Sequence, residues 1–197
     1  MIAQSGNRAV LVETVAQRGL RGSAVREALL IAVGVAALTL MAKTSIPIGP
    51  VPLTLGTLAV LSIGAAYGPR LGLITILAYL TLGALGADVF AGDTSGLTYL
   101  MGGTGGYLLG YAIAAGALGA AARAGWDRSV WRMALAMLAG NALIYVPGLL
   151  WLRGFAEDWG QTLAWGLTPF LVGDAIKLAL AALLFPLIWR LVGWRHR

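Results

Sequence analysis

The last apolar stretch of the chain, residues 167–191, reads LTPFLVGDAIKLALAALLFPLIWRL. An α-helix needs roughly 20 predominantly apolar residues to cross the hydrocarbon core of a bilayer, and this stretch is long enough. Asp174 and Lys177 interrupt it, three residues apart and therefore on one face of the helix. Ionisable side chains at membrane depth are costly and face a partner or a water-filled cavity. The stretch therefore predicts a membrane helix that carries a functional polar site.

The composition of the whole chain is typical of a membrane protein. Of its 197 residues 59% are hydrophobic and 11% are charged, and the mean hydropathy of +0.83 lies outside the usual range of soluble domains. We expect an all-α, polytopic bundle of six transmembrane helices. The six apolar segments are Arg26 to Ala42, Val51 to Tyr67, Leu71 to Ala87, Thr104 to Arg123, Ser129 to Leu152 and Leu167 to Leu191.

The basic residues predict the orientation of this bundle. With the N-terminus inside the cell, eleven arginines fall at the cytoplasmic side, whereas the outer loops hold only Lys43 and Arg153. Because Lys and Arg concentrate in cytoplasmic loops, we expect both termini to be cytoplasmic and the chain to lie in the cytoplasmic membrane. The charges form short clusters rather than one basic face, which argues against nucleic acid as a partner. The eleven are Arg8, Arg18, Arg21, Arg26, Arg70, Arg123, Arg128, Arg132, Arg190, Arg195 and Arg197.

The chain divides into a short polar start and one membrane domain. Residues 1–23 are predicted to be a basic cytoplasmic tail, with an interfacial amphipathic helix as the alternative, and residues 24–197 to be the substrate-binding domain. No A-x-A site follows a short apolar stretch, so no cleaved signal peptide is expected. The sequence has no cysteine and a single histidine, His196, so we expect no metal site.

Further polar and aromatic residues lie on the predicted fifth helix. Asn141 and Tyr145 are one turn apart and share a face. Asn141 either faces a pocket or joins helices by hydrogen bonds, and Trp151 either walls a pocket or anchors the helix at the membrane interface. Asp174 and Lys177 have a comparable alternative, which is a self-neutralising pair that joins two helices.

Two outer loops are candidates for covering a site. Residues 45–55 contain three prolines within six positions, which excludes a helix at their start; they form an extended linker that serves as a lid or as a stiff connector. Thr54 near its end offers a hydroxyl. The second loop, residues 88–107, is rich in glycine, contains Asp93 and ends at Tyr107. It lacks the Lys and Ser or Thr of a phosphate-binding loop.

Six stretches, taken together and in this order, resemble the BioY family, the biotin-binding S components of energy-coupling-factor vitamin importers. They lie between residues 50 and 177, and the whole resemblance runs from about residue 28 to residue 190, which is nearly the whole membrane region. The stretches are Pro50-Val-Pro-Leu-Thr-Leu, Tyr67-Gly-Pro-Arg-Leu-Gly, Val89-Phe-Ala-Gly, Gly103-Thr-Gly-Gly-Tyr-Leu-Leu-Gly, Asn141 to Tyr145, and Pro169-Phe-Leu-Val-Gly-Asp-Ala-Ile-Lys177.

The resemblance implies a six-helix subunit that binds biotin at its outer side and needs no cofactor. It also implies that energy comes from a transmembrane coupling protein and a pair of ATPases. The stripe of Ala28, Ala32 and Ala36 either docks such a partner or packs inside the bundle. A homo-oligomer that acts without the ATPases is the alternative. The candidate substrate-binding residues are Asp174, Lys177, Asn141, Tyr145, Asp93, Tyr107, Trp151 and Thr54.

This chain departs from the usual pattern of the family in its loops. Gly56 stands where Gln is frequent, Asp93 and Ser95 where glycines are usual, and Gly103 where Pro is common. The loop contacts of the family therefore do not transfer residue by residue, and the extra carboxylate of Asp93 either binds a ureido N–H or disfavours an anionic ligand nearby.

Two other functions are compatible with an intramembrane charged pair. An enzyme would use Asp174 and Lys177 as acid and base, but the chain has no cysteine, no histidine in an apolar segment and no serine beside a plausible base. A structural membrane protein would use the pair only to join helices. We expect a transport protein rather than an enzyme.

Overall fold

The structure is a computed structural model that describes residues 9–15 and 24–194. Helices dominate these residues, and the two strands, β1 (Ser45–Ile46) and β2 (Leu53–Thr54), form a short antiparallel ladder. Tight 3-10 turns at Trp126–Arg128, Arg153–Phe155 and Thr168–Phe170 connect the later helices. The helices are α1 (Leu11–Val15), α2 (Ala24–Lys43), α3 (Gly56–Ala84), α4 (Gly96–Leu100), α5 (Gly105–Arg123), α6 (Val130–Leu152), α7 (Trp159–Gly166) and α8 (Leu171–Trp194).

Five helical segments within the described residues are long and apolar enough to cross a membrane. Their outer surfaces carry large apolar side chains such as Leu40 and Val172, of which 70% and 74% are exposed. Such surfaces require lipid around them, because in water they would form one large apolar patch. The expected all-α, multi-pass membrane architecture is therefore confirmed. The segments are Ala24–Lys43, Gly56–Ala84, Gly105–Arg123, Val130–Phe155 and Trp159–Val192.

The longest single helix, α3, contains both the second and the third helix predicted from the sequence. The backbone leaves the helical conformation at Gly68, with φ 82° and ψ 176°, directly before Pro69. Glycine tolerates the positive φ, and proline cannot continue the helical hydrogen bonds. A Cβ on Gly72 would stand 3.1 Å from the Cα of Gly64, so the two halves of α3 lie against each other and the chain reverses direction at Gly68.

The predicted bounds of these two helices need correction. Residues 51–55 are not helical, because they belong to β2 and the turn before α3. The second half of α3 ends at Ala84 rather than Ala87.

Close packing of small residues holds the helix reversal and the neighbouring helices together. A Cβ on Gly119 of α5 would stand 2.3 Å from the Pro69 nitrogen, and one on Gly110 would stand 2.6 Å from the Cα of Ile144 in α6. Glycine at these positions lets the backbones approach closely, as is common between membrane helices. Helix α5 therefore lies between α3 and α6 at the centre of the bundle.

The bundle has two different ends. The pocket end holds the start of α3, the start of α8 and the β1–β2 ladder. The arginine end holds Arg26, Arg70, Arg123 and Arg128. Both ends of the described chain lie at the arginine end, because Arg128 donates to the Ala9 carbonyl at 3.1 Å and stacks on Trp189 of α8.

Residues 9–15, expected to belong to a free tail, pack against the bundle. Val10 is completely buried, Glu13 forms an ion pair with Arg123 at 2.6 Å, and Arg26 donates to the Val12 carbonyl at 3.2 Å. The apolar residues and the one carboxylate of this segment find partners at the arginine end, which is why it is ordered as α1. Residues 1–8 and 16–23 of the predicted tail lie outside the described residues.

Candidate ligand-binding site

The pocket end encloses a cavity of about 60 Å³ among α3, α5, α6 and α8. A wider outer cavity of about 400 Å³ adjoins it, and the two share Pro52, Ala91, Tyr99 and Thr104 in their walls. We call them the inner and the outer cavity. The inner cavity is lined by Ala42, Val51, Pro52, Thr54, Thr57, Tyr79, Ala91, Tyr99, Thr104, Tyr107, Leu108, Tyr111, Ile144, Tyr145, Phe170, Asp174 and Lys177.

The predicted charged pair lies in the wall of the inner cavity. Asp174 and Lys177 are only 5% and 9% exposed, and Lys177 Nζ lies 2.8 Å from Asp174 Oδ1. The two residues therefore neutralise each other and also face an empty space. An ion pair with a cavity beside it is able to bind a polar ligand.

The two members of the pair differ in their remaining hydrogen-bonding capacity. Lys177 Nζ also donates to the Thr54 carbonyl at 2.7 Å and to Thr57 Oγ1 at 3.2 Å, which uses all three of its protons. Asp174 Oδ2 accepts from the Tyr145 hydroxyl at 2.5 Å, and Oδ1 accepts from Lys177 and, at 3.3 Å, from Thr57. A carboxylate offers about four acceptor positions, so Asp174 has one left for a ligand.

Tyrosine rings form much of the remaining wall, and their hydroxyls are anchored to the protein. Tyr107 donates to the Gly166 carbonyl at 2.9 Å, and Tyr79 donates to the Val89 carbonyl at 3.0 Å. The rings of Tyr107 and Tyr145 meet edge to face with their centroids 6.1 Å apart. Apolar aromatic walls with a few fixed polar groups are typical of small-molecule sites.

The proline-rich linker lies over the inner cavity. Its strands pair Ser45 with Thr54 and Ile46 with Leu53, and Val51 and Pro52 between them line the cavity. The structure thus gives the linker the position of a lid. Because Lys177 binds the Thr54 carbonyl, this lid is attached directly to the charged pair.

The glycine-rich loop between α3 and α5 forms the other side of the entrance. Lys43, at the end of α2, forms an ion pair with Asp88 and donates to the Gly92 carbonyl at 2.8 Å. Ala91 and Tyr99 of this loop line both cavities. A Cβ on Gly103 would stand 3.5 Å from the Pro50 side chain, so the two loops meet at the wall that the two cavities share.

The structure brings five of the eight predicted substrate-binding residues together in the wall of the inner cavity. These are Asp174, Lys177, Tyr145, Tyr107 and Thr54.

The other three predicted residues lie outside the inner cavity. Asp93 lines the outer cavity. The Trp151 indole N–H donates to the Gly102 carbonyl at 2.9 Å and so supports the loop. Asn141 lines a separate cavity of about 10 Å³ beside Lys177, and its buried Oδ1 has no hydrogen-bond partner within the described residues.

The sequence reasoning did not identify four of the aromatic residues that line the inner cavity. Tyr111 had a usable signal, because it follows Tyr107 by one helical turn and shares its face. Tyr79, Tyr99 and Phe170 gave no such signal, since the reversal of α3 and the irregular segments before α5 and α8 bring them to the cavity.

Comparison with known proteins assigns this arrangement to a family. The family model described as "BioY family" matches residues 12–194. The chain belongs to the BioY family. The resemblance inferred from the six sequence stretches is thereby confirmed. The matched residues include every helix that surrounds the two cavities.

Curated BioY relatives are similar over most of their length. The probable biotin transporter BioY of Pyrococcus horikoshii is 39% identical over 159 residues, which are 81% of this chain and 93% of the relative. The biotin transporter BioY2 of Lactococcus lactis is 37% identical, over 78% of this chain and 85% of its own. The biotin transporter BioY of Thermotoga maritima is 36% identical, over 71% of this chain and 82% of its own.

A solved structure shares the fold. The crystal structure of the S-component for biotin from an ECF-type ABC transporter superposes with a TM-score of 0.75, covering 87% of this chain and 95% of that one, at 23% sequence identity. The BioY fold of this chain is therefore supported by both its sequence and its architecture.

Proposed function

We propose that this protein binds biotin at the pocket end and mediates its uptake across the cytoplasmic membrane. The observation that carries the proposal is the inner cavity of a BioY family member, in which a buried carboxylate with one free acceptor position faces a wall of tyrosines. The relatives are named biotin transporters, and none of these names describes an enzyme. Transport without chemical conversion is therefore the function that we assign.

The chemistry of biotin matches the lining of the cavity. Its ureido ring presents two N–H donors and one carbonyl acceptor, and the fused thioether ring is apolar. The free acceptor position of Asp174 takes a ureido N–H, while Tyr107, Tyr145 and Phe170 pack against the rings. Lys177 holds Asp174 and the lid in place, because its three protons are already used by protein acceptors.

Biotin reaches this site from the outside in our proposal, and the bundle has six spans. Because α3 reverses at Gly68, its two halves each count as one span, and the described chain then begins and ends on one side. That side carries Arg26, Arg70, Arg123 and Arg128, as cytoplasmic ends do. The pocket end accordingly faces outward, residues 24–197 form the substrate-binding domain, and residues 1–23 stay in the cytoplasm.

Energy for uptake comes from partner proteins in this proposal. The structural neighbour is described as an S-component of an ECF-type ABC transporter, and the sequence of this chain contains no phosphate-binding loop. Ala28, Ala32 and Ala36 are all exposed along α2, so they form a smooth stripe on the lipid-facing surface. A helix of a transmembrane coupling protein packs against such a stripe.

The proposal is tested by measuring the binding of labelled biotin to the purified protein in lipid nanodiscs. We expect saturable binding and recovery of unchanged biotin. Asp174→Asn should weaken binding at least tenfold, because the amide repels one N–H where the carboxylate accepted it. Glu157→Gln, which changes an exposed outer carboxylate outside the cavities, is the matched control and should bind normally. Absence of saturable binding to the wild-type protein refutes the proposal.

A further inference from the structure

Gly56 and Tyr111 share one small volume at the edge of the inner cavity. Gly56 opens α3 without a side chain, and a Cβ at this position would stand 2.8 Å from Tyr111 Oη and 3.0 Å from Thr54 Oγ1. Carbon and oxygen atoms do not stay that close without a shift of one of them. The missing side chain at position 56 is therefore what allows the Tyr111 hydroxyl to reach this place.

The hydroxyl of Tyr111 is bonded differently from those of the other anchored tyrosines. Tyr79, Tyr107 and Tyr145 each donate their proton to a backbone carbonyl or to the Asp174 carboxylate. The Tyr111 hydroxyl instead lies next to the Thr54 hydroxyl, since the two oxygens are 2.8 Å and 3.0 Å from the same Cβ position on Gly56. A hydroxyl is both a donor and an acceptor, so Tyr111 either donates its proton to Thr54 or accepts the proton of Thr54.

The bonding of Thr54 decides that choice. Thr54 Oγ1 accepts the backbone N–H of Gly56 at 3.0 Å, and its own proton is then available to the Tyr111 oxygen. In that arrangement Thr54 does not use the phenol proton of Tyr111, which is therefore available to a ligand. Tyr111 and Asp174 line the same cavity, so a free donor and a free acceptor face one guest.

We propose that Tyr111 contacts the ligand and donates its phenol proton to the ureido carbonyl of biotin, and that Gly56 makes room for this contact. The inference rests on the proposed function. A cyclic urea places its carbonyl directly beside its N–H groups, which matches the Tyr111 donor beside the Asp174 acceptor. The pair thereby selects a ligand with a hydrogen-bond acceptor at this position.

The first experiment compares two ligands on two variants. Biotin is measured against 2-iminobiotin, whose protonated imine at neutral pH is a donor where biotin has an acceptor. Tyr111→Phe should weaken biotin binding about tenfold, the loss typical of one hydrogen bond, and should reduce the preference for biotin over 2-iminobiotin. Tyr67→Phe removes a hydroxyl that donates to the Leu30 carbonyl away from both cavities, and it should leave that preference unchanged.

The second experiment tests the shared volume. Gly56→Ala should weaken biotin binding, because its methyl group displaces the Tyr111 hydroxyl. With the hydroxyl gone, the nearest Tyr111 atom is Cζ at 3.6 Å, an ordinary contact. The double variant Gly56→Ala with Tyr111→Phe should therefore bind no more weakly than Tyr111→Phe alone.

The outcomes separate this inference from the proposed function. If the wild-type protein binds no biotin, the proposed function fails and this inference with it. If the wild type binds but Tyr111→Phe keeps its affinity, or weakens both ligands equally, only the role of Tyr111 is overturned. If the two substitutions weaken binding additively, Gly56 does not act through Tyr111. Melting temperatures of all variants without ligand show whether any loss reflects unfolding.

Discussion

The pocket end and the arginine end both carry charged residues, but they hold them in different ways. At the pocket end Asp174 and Lys177 are almost fully buried, and every proton of Lys177 has a protein acceptor. At the arginine end Arg123 and Glu13 form a pair that is 27% and 41% exposed, beside an open groove of about 250 Å³. The fold therefore depends more on the buried pair than on the exposed one. If an exposed pair is broken, water solvates the two charges, and it cannot do so at a buried pair.

The largest effect should follow from breaking the buried pair on one side only. Lys177→Met leaves the Asp174 carboxylate buried without its cation and frees the Thr54 carbonyl from α8. Loss of one partner of a buried pair typically costs about 3–5 kcal/mol. We therefore expect a strongly lowered melting temperature together with a loss of biotin binding, both measured in nanodiscs.

The double variant Asp174→Asn with Lys177→Met is the control for this prediction. It removes both charges and should recover much of the stability, though not the binding. Equal destabilisation by the single and the double variant would show that the pair does not act as an electrostatic unit.

A smaller effect is expected at the arginine end, where the chain reverses in α3. Gly119→Ala brings a methyl group to 2.3 Å from the Pro69 nitrogen, and the backbone there has no room to shift easily. Overpacking of this kind typically costs about 1–3 kcal/mol, so the melting temperature should fall while the affinity of the remaining folded protein for biotin stays normal.

Gly116→Ala is the matched control, because it lies on the same helix and a Cβ there meets nothing within 4 Å. It should be neutral or slightly stabilising, since alanine is the better helix former. If both variants melt alike, the helix reversal is not held by the contact with Gly119.

The sequence predicted those parts of this comparison that have local causes. The cost of an ionisable group in a bilayer is a property of the apolar segment that contains it, so residues 167–191 were enough to predict the membrane helix with Asp174 and Lys177. Gly68 and Pro69 likewise separate the two helices predicted there, and the structure places the chain reversal at this pair. Neither inference required knowledge of which distant segments pack against these residues.

The remaining parts depend on contacts between distant segments. Val10 and Glu13 read as members of a polar tail until Arg123 and the surface of α3 are placed beside them. Tyr99 and Phe170 lie in short irregular elements whose position is set by the helices around them. No periodicity in the sequence marks such residues, because the order is created by tertiary packing.

The smallest effect concerns Asp127, which is buried at the arginine end although its neighbours are exposed. It lies in the turn between α5 and α6, accepts from the Trp189 indole N–H at 2.5 Å, and its Oδ1 has no hydrogen-bond partner within the described residues. Burial raises the pKa of Asp127 above its ordinary 3.8, although the bond from Trp189 and the charge of Arg128 act in the opposite direction. The folded state therefore binds a proton at Asp127 more tightly than the unfolded chain does.

The pH dependence follows from this sign. Because the folded pKa is the higher one, the folded state binds more protons between 3.8 and that pKa, and stability falls as the pH rises through this window. Above it the full cost of the buried charge remains. Asp127→Asn removes that cost while its amide oxygen still accepts from Trp189, so the variant should melt slightly higher than the wild type at neutral pH. The two melting curves should converge on acidification, and a constant gap would show that the Asp127 charge is not the cause.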